Sequence, residues 1–132
     1  SGVVCGEIAF DEARVRDRKA AGASVVLVRR DAETRDISAL DLADGLLTQH
    51  GARTSHAAVV ARQLGKVCLV GCEAMQVDET QRALDLAGTR FQEGDVITLD
   101  GNSGLIYAGA LRVVDLVPEA LLARLALIHD PA

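Results

Sequence analysis

The sequence contains very few aromatic residues: no tryptophan, one tyrosine and two phenylalanines among 132 residues. Hydrophobic residues nevertheless make up 49% of the chain, so aliphatic side chains and alanine must fill the interior. A chain of about 100 to 150 residues is long enough to close a core without disulfides or metal ions. We therefore expect one domain with an aliphatic core.

The chain also lacks a surplus of positive charge. Its formal net charge is -5 and its pI is near 5.1. The basic residues stand in short groups interleaved with acids, of which Arg29-Arg30 is one. A protein that neutralises many phosphates needs a continuous basic surface. These features exclude nucleic acid as a partner.

Cysteine pairs and long apolar runs are absent as well. The three cysteines form no CxxC pair, which argues against a disulfide framework and against a four-ligand zinc site. No apolar run reaches the ~18 to 20 residues of a transmembrane helix, and no basic segment followed by an apolar stretch opens the chain. We expect a cytoplasmic protein with no membrane partner.

What is present is an alternation of strand and helix patterns. Strands are predicted at 3–10, 24–28, 45–48 and 66–72, and helices at 11–21, 34–43 and 57–64, with Asp11 capping the first helix and Thr34 or Asp36 the second. Such alternation favours a parallel βα layer. From residue 76 the pattern becomes mostly β, with hairpins predicted around 78–80 and over 96–109. The predicted fold class is α/β, with a βα-alternating first half and a β-rich second half.

A helix predicted at 118–128 begins with Pro118 and carries leucines on one side. We therefore place a domain over 1–114 and a C-terminal helix, or a linker to a neighbouring domain, over 115–132. The DGNSG stretch in the last hairpin has turn spacing and no P-loop lysine. No GxSxG turn of a hydrolase is present either.

The segment GARTSHAAVVAR places His56 at a predicted helix start. Thr54 or Ser55 is the expected N-cap, and Gly51 allows a tight turn before it. Backbone N–H groups in a first helical turn lack partners inside the helix, so together with the helix dipole they favour an anion such as phosphate. Imidazole, with a reference pKa near ~6.5, is mostly unprotonated in the cytoplasm and can attack phosphorus. His56 is the candidate nucleophile of a covalent phosphoryl relay.

The stretch GARTSHAAVVARQLGKVCLVGC resembles the phosphohistidine signature of the phosphoenolpyruvate-utilising enzymes, which include pyruvate phosphate dikinase, phosphoenolpyruvate synthase and enzyme I of the bacterial sugar phosphotransferase system. The stretches LVRRDAETRDISAL and FQEGDVITLDGNSGLIYAG extend the similarity, which is greatest to the dikinase. The resemblance implies a swivelling β/β/α domain in which His56 accepts phosphate. Thr54 and Arg62 match signature positions, and Arg62 is expected to contact either phosphate or a docking surface. Gly51, Thr54, Ser55 and Arg62 are the predicted supporting residues.

By the same resemblance, the domain relays a phosphoryl group between a nucleotide-binding domain and a barrel domain for pyruvate and phosphoenolpyruvate, either fused or separate. It is then part of an enzyme and does not complete the reaction alone. Mg²⁺ and ATP or phosphoenolpyruvate belong to those partner domains, and no cofactor or metal is expected in this one. The alternatives are a synthase-type or enzyme I-type carrier, and a non-catalytic spacer of the same fold.

Other reactive residues have simpler interpretations. His50 lies six positions before His56 without a third metal ligand nearby, so an exposed loop residue is predicted. Cys68 and Cys72 flank a predicted buried strand with no base or cation evident beside them, which favours small core residues over reactive thiols.

Overall fold

The structure of the chain is a computed structural model that describes residues 2–51, 56–72 and 74–109. The helix predicted at 118–128 and the boundary predicted at residue 114 lie outside these ranges. The helices are α1 (Glu12–Ala20), α2 (Ile37–Leu42), preceded by a 3₁₀ turn over Thr34–Asp36, and α3 (His56–Gln63). The strands are β1 (Val3–Ala9), β2 (Val25–Arg29), β3 (Gly45–Thr48), β4 (Val67–Leu69), β5 (Met75–Asp78), β6 (Ala83–Leu86), β7 (Thr89–Gln92), β8 (Val96–Asp100) and β9 (Leu105–Ala108).

The larger sheet has six strands in the order β4-β3-β2-β1-β8-β9. The first four are parallel, and β8 and β9 extend this sheet in antiparallel fashion from β1. Every residue of β2 and β3 is buried, as expected for central parallel strands covered on both faces. The predicted alternation of strands and helices is confirmed.

The smaller sheet is an antiparallel meander of β5, β6 and β7. One apolar cluster joins it to one face of the larger sheet, with Phe10, Val28 and Leu47 facing Met75 and Leu84. A second cluster joins the opposite face of the larger sheet to the three helices. The layers therefore run small sheet, large sheet, helices. This confirms both the α/β class and the β/β/α arrangement that the resemblance implied.

The helix caps follow the predictions in part. The Asp11 carboxylate accepts the Arg14 amide at 2.9 Å and caps α1 as predicted. The 34–43 segment is a 3₁₀ turn and then α2 rather than one helix. Thr34 caps neither element, and Asp36 is the N-cap residue of α2 but makes no side-chain capping hydrogen bond. Glu33 holds the N-cap position, and its amide donates to the Asp36 carboxylate at 2.7 Å. The Asp36 side chain therefore points back along the chain instead of capping α2.

The two predicted hairpins are confirmed as β5–β6 and β8–β9. A third hairpin, β6–β7, was not predicted. It turns through Ala87 and Gly88, both with positive φ. Among the described residues, no helix has the length and apolar character needed to cross a membrane.

Candidate functional site

His56 is the first residue of α3, and its side chain is exposed. The opposite side of the helix is buried through Ala57, Ala58 and Ala61, whose small side chains let α3 pack closely against the strands and helices beside it. Because α3 follows β3, its first turn lies at the edge where the parallel strands end. Ligands of open α/β sheets commonly bind at that carboxyl edge. The fold thus presents an open imidazole where ligands are expected.

The first residues of the loop that leads from β3 toward His56 are held by backbone hydrogen bonds. The Gln49 amide donates to the carbonyl of Arg29 at 3.3 Å, and the His50 amide donates to the carbonyl of Arg30 at 2.9 Å. These two bonds continue the β2–β3 ladder beyond the last residue of β3. The position of the first loop residues is therefore set by the end of β2.

Gly51 follows these anchored residues with φ of +111°, a conformation that side chains other than glycine rarely adopt. A Cβ added at Gly51 would lie 3.8 Å from Asp31 Oδ1 and 3.9 Å from Thr48 Oγ1, which are ordinary contacts. Backbone conformation, not space, is thus the reason for glycine at this position. The turn predicted to follow Gly51 runs into 52–55, outside the described residues, and stays a prediction.

Thr54 and Ser55 fall within 52–55, outside the described residues. Their predicted capping and phosphate-binding roles remain predictions. The helix that they would cap is present and begins at His56, as the sequence predicted.

Arg62 lies in the last turn of α3, six positions after His56. At a rise of ~1.5 Å per residue, the two Cα atoms are separated by about 9 Å along the helix axis. Arg62 therefore belongs to the end of α3 remote from the first-turn amides. Of the two roles predicted for it, this position favours contact with a docking surface over contact with phosphate.

Arg62 also lies close enough to β4 to influence Cys68. Burial raises the pKa of the Cys68 thiol to about 11, although the Arg62 charge acts in the opposite direction. The absence of a cation near Cys68 was a wrong expectation. The thiol is nevertheless protonated at neutral pH, so Cys68 has the unreactive character that the sequence predicted.

His50 is exposed in the loop after β3, as predicted. Its carbonyl accepts a hydrogen bond from the Thr48 hydroxyl at 2.7 Å, so the backbone of His50, not its side chain, stabilises the loop. Within the described ranges, no group of three histidine, cysteine or acidic side chains is arranged to hold a metal ion.

Sequence reasoning missed a buried charged cluster at the same edge of the sheet. Arg29 ends β2 with only 9% of its surface exposed, and its guanidinium forms ion pairs with Asp36 and Glu79 at 3.3 Å each. The one available signal was an arginine at the end of a continuous apolar strand. Its partners lie 7 and 50 positions away in the sequence, so only the folded chain brings them together.

A shallow depression of about 380 Å³ adjoins this cluster and is lined by Arg30, Gln76, Val77, Asp78, Glu79, Thr80 and Asp85. Its three carboxylates outnumber its one cation. The Arg90 side chain pairs with Asp78 and Asp85, at 3.9 and 2.9 Å. An acidic lining of this kind does not suit a phosphate.

The comparisons with known proteins agree with the geometry. The family described as "PEP-utilising enzyme, mobile domain" matches residues 21–104. Pyruvate, phosphate dikinase of Clostridium symbiosum is 43% identical over 110 residues, which are 82% of this chain and 12% of that protein. The enzyme of the same name from Giardia intestinalis is 38% identical over 114 residues, 86% of this chain and 13% of that protein.

Among solved structures, the solution structure of an Enzyme I protein matches 70% of this chain and 33% of that one, with 25% identity and a TM-score of 0.48. The chain spans about an eighth of the length of the two dikinases. Those dikinases are larger proteins, so further domains accompany the matched region in them. On the matched residues and the identity to both dikinases, the chain belongs to the mobile-domain family of the PEP-utilising enzymes.

Proposed function

We propose that this chain is a phosphohistidine carrier domain of a pyruvate phosphate dikinase-like phosphotransferase. The observation that carries the proposal is the exposed His56 at the first position of α3, above a buried face of alanines. An imidazole held there is open to two successive partners while its helix is anchored below. The 43% and 38% identity to dikinases favours the dikinase type over the synthase and enzyme I types.

The proposed relay consists of two displacements at phosphorus. The unprotonated ring nitrogen of His56 attacks the donor phosphoryl group, a P–N bond forms, and the donor oxygen leaves with the electron pair of the broken P–O bond. An acceptor oxygen then attacks the phosphohistidine, the P–N bond breaks and the imidazole is restored. Dividing one transfer into two steps lets one side chain serve two separate sites.

Residues around His56 would support the phosphoryl oxygens. Thr54 and Ser55 would offer hydroxyl groups, and the amides of the first helical turn would offer N–H donors with the positive end of the helix dipole. Gly51 would shape the loop, and Arg62 would act at a docking surface.

The partners would be a nucleotide-binding domain and a barrel domain for pyruvate and phosphoenolpyruvate, fused to this chain or separate. Those domains would use Mg²⁺ together with ATP or phosphoenolpyruvate. We further propose a cytoplasmic location, since the three cysteines are unpaired.

Phosphoramidate tests the proposal on the chain alone, because it donates a phosphoryl group to imidazole and releases ammonia. The chain contains His50, His56 and His129, which provide an internal comparison. We expect an acid-labile, base-stable label, located by peptide mapping, to accumulate fastest on His56. It should be lost in His56→Asn and retained in His50→Asn.

Addition of the cognate nucleotide domain with ATP and Mg²⁺ should produce the same label on His56. Labelling that survives His56→Asn, or that does not exceed the labelling of the other two histidines, would favour the non-catalytic spacer.

A further inference from the structure

The buried guanidinium of Arg29 meets three partners at the carboxyl edge. Its Nη1 donates to the carbonyl of Phe10 at 3.2 Å and lies 3.3 Å from Glu79 Oε2, while its Nε lies 3.3 Å from Asp36 Oδ2. Burying an unpaired charge costs several kcal/mol, so these partners are needed for Arg29 to remain inside. The partners belong to three segments: the end of β1, the 3₁₀ turn and the β5–β6 turn.

Each carboxylate of the cluster also holds a backbone amide. Asp36 Oδ2 accepts the Glu33 amide at 2.7 Å, and Glu79 Oε2 accepts the Arg30 amide at 3.1 Å. The cluster therefore fixes the chain on both sides of residues 31 and 32. The Nε of Arg29 is buried without a hydrogen bond of good geometry. Coulombic attraction to Asp36, rather than a two-pronged hydrogen bond, thus holds the Nε side of the guanidinium.

The same elements support the loop that leads to His56. Arg29 pairs with Thr48 across the β2–β3 ladder, and the carbonyl of Arg29 accepts the Gln49 amide. The Gln49 side chain in turn accepts the Val77 amide of β5 at 2.9 Å, two residues before Glu79. The 3₁₀ turn that contains Asp36 packs against α3 itself. Arg29 thus joins the end of β2, the end of β5 and the turn beside α3.

We propose that Arg29, with Asp36 and Glu79, is a positioning cluster for His56, an inference that rests on the carrier function proposed above. The cluster does not touch the phosphoryl group, since the Arg29 guanidinium is buried and already faces two carboxylates. It fixes the first residues of the loop before His56 and the 3₁₀ turn that packs against α3, so the imidazole is presented in one orientation. A displacement of about 1 Å at a reacting group can cost up to about a hundredfold in rate.

The test uses three variants of the chain with phosphoramidate as donor. Arg29→Met removes the central cation. Glu79→Gln removes the charge of one half-exposed partner of Arg29 but keeps an oxygen that can accept the Arg30 amide. This variant should therefore fold even if Arg29→Met does not. Arg82→Met is the control. Arg82 lies on the same β5–β6 turn as Glu79, but its carboxylate partner is Glu93, which is remote from the loop before His56.

The rate of His56 phosphorylation is measured against pH, well below each variant's melting temperature. The plateau of this profile, meaning its highest rate, is compared between variants, so that a change in geometry is separated from a shift of the profile along the pH axis. We expect the plateau to fall about tenfold in Arg29→Met and less in Glu79→Gln, and to stay within about twofold in Arg82→Met. Folded Arg29→Met or Glu79→Gln with the wild-type plateau, or an equal fall in Arg82→Met, would overturn the positioning role. Failure of the wild-type chain to label at His56 would instead contradict the carrier function.

Discussion

Arg82 and Glu93 form a two-pronged ion pair between the β5–β6 turn and the β7–β8 turn. The Arg82 Nε donates to Glu93 Oε1 at 2.6 Å, and the Arg82 carbonyl accepts the Glu93 amide at 3.1 Å. Arg82 has a φ of +55°, an unfavourable conformation for a residue with a side chain. Glu93 is nearly buried and its Oε2 accepts the Phe10 amide at 3.0 Å, so the pair ties the small sheet to the end of β1.

Glu93→Gln tests this tie through its pH dependence. Burial raises the pKa of Glu93, but hydrogen bonds from Arg82 and the Phe10 amide outweigh it, so the pKa lies below the ordinary value of 4.5. A carboxylate with a depressed folded-state pKa contributes stability above its unfolded-state pKa and loses it as pH falls. The variant should therefore be less stable by about 1 to 2 kcal/mol at pH 7.

This difference in the free energy of unfolding should be constant above about pH 5 and should shrink as the pH falls below 4.5, the ordinary glutamate pKa. Urea unfolding of both proteins at several pH values measures it. An equal difference at pH 3 and pH 7 would show that the Glu93 charge contributes nothing.

Gly6→Ala tests the packing of β1 on its neighbour. A Cβ at Gly6 would lie 2.9 Å from the backbone carbon of Ser24 and from the amide nitrogen of Val25, both too close for any real contact. Since backbone atoms cannot rotate away, the strands must shift, at a cost of about 1 to 3 kcal/mol. Thermal unfolding should show a clear fall in Tm. Val3→Ala, at an exposed position of the same strand, should change Tm little, and equal effects would contradict the close approach.

The large sheet was predictable because its signals are local. Apolar runs such as Val25–Val28, Asp11 before a helix and the turn at Asp100 each indicate an element within a few residues. The β6–β7 hairpin was missed because Ala87 takes the left-handed conformation, which alanine rarely adopts and which no sequence pattern marks.

At the candidate site, His56 could be singled out because a helix start and a family signature coincide there. The Arg29 cluster could not, since its geometry depends on how the β5–β6 turn meets the end of β2. Arg62 was predicted, from its signature position alone, to contact either phosphate or a docking surface. The pitch of α3 places it at the far end of the helix.

Cys68 should be slow to alkylate in the folded chain. Burial raises its pKa to about 11, with Arg62 acting in the opposite direction, so the reactive thiolate is scarce at pH 7.5. Iodoacetamide labelling followed by peptide mass analysis should show the Cys68 rate rising steadily with pH up to 9.5. Arg62→Gln should slow labelling further, whereas Arg62→Lys should not. A folded-state rate equal to the rate in urea would contradict the raised pKa.

Gly51→Ala separates the shape of the histidine loop from general stability, and Gly65→Ala provides a matched control. Both glycines have positive φ, +111° and +78°, and a Cβ at either would meet no atom closer than 3.8 Å. Each substitution should therefore cost about 1 to 3 kcal/mol through backbone conformation alone, with the larger cost at Gly51, whose φ lies farther from the left-handed region open to L residues. Gly51 precedes His56 in the loop, whereas Gly65 follows the other end of α3.

With phosphoramidate at a temperature where both variants are folded, Gly51→Ala should slow His56 labelling several-fold and Gly65→Ala should leave it unchanged. Equal slowing in the two would show that lost stability, not loop shape, controls the reactivity of His56.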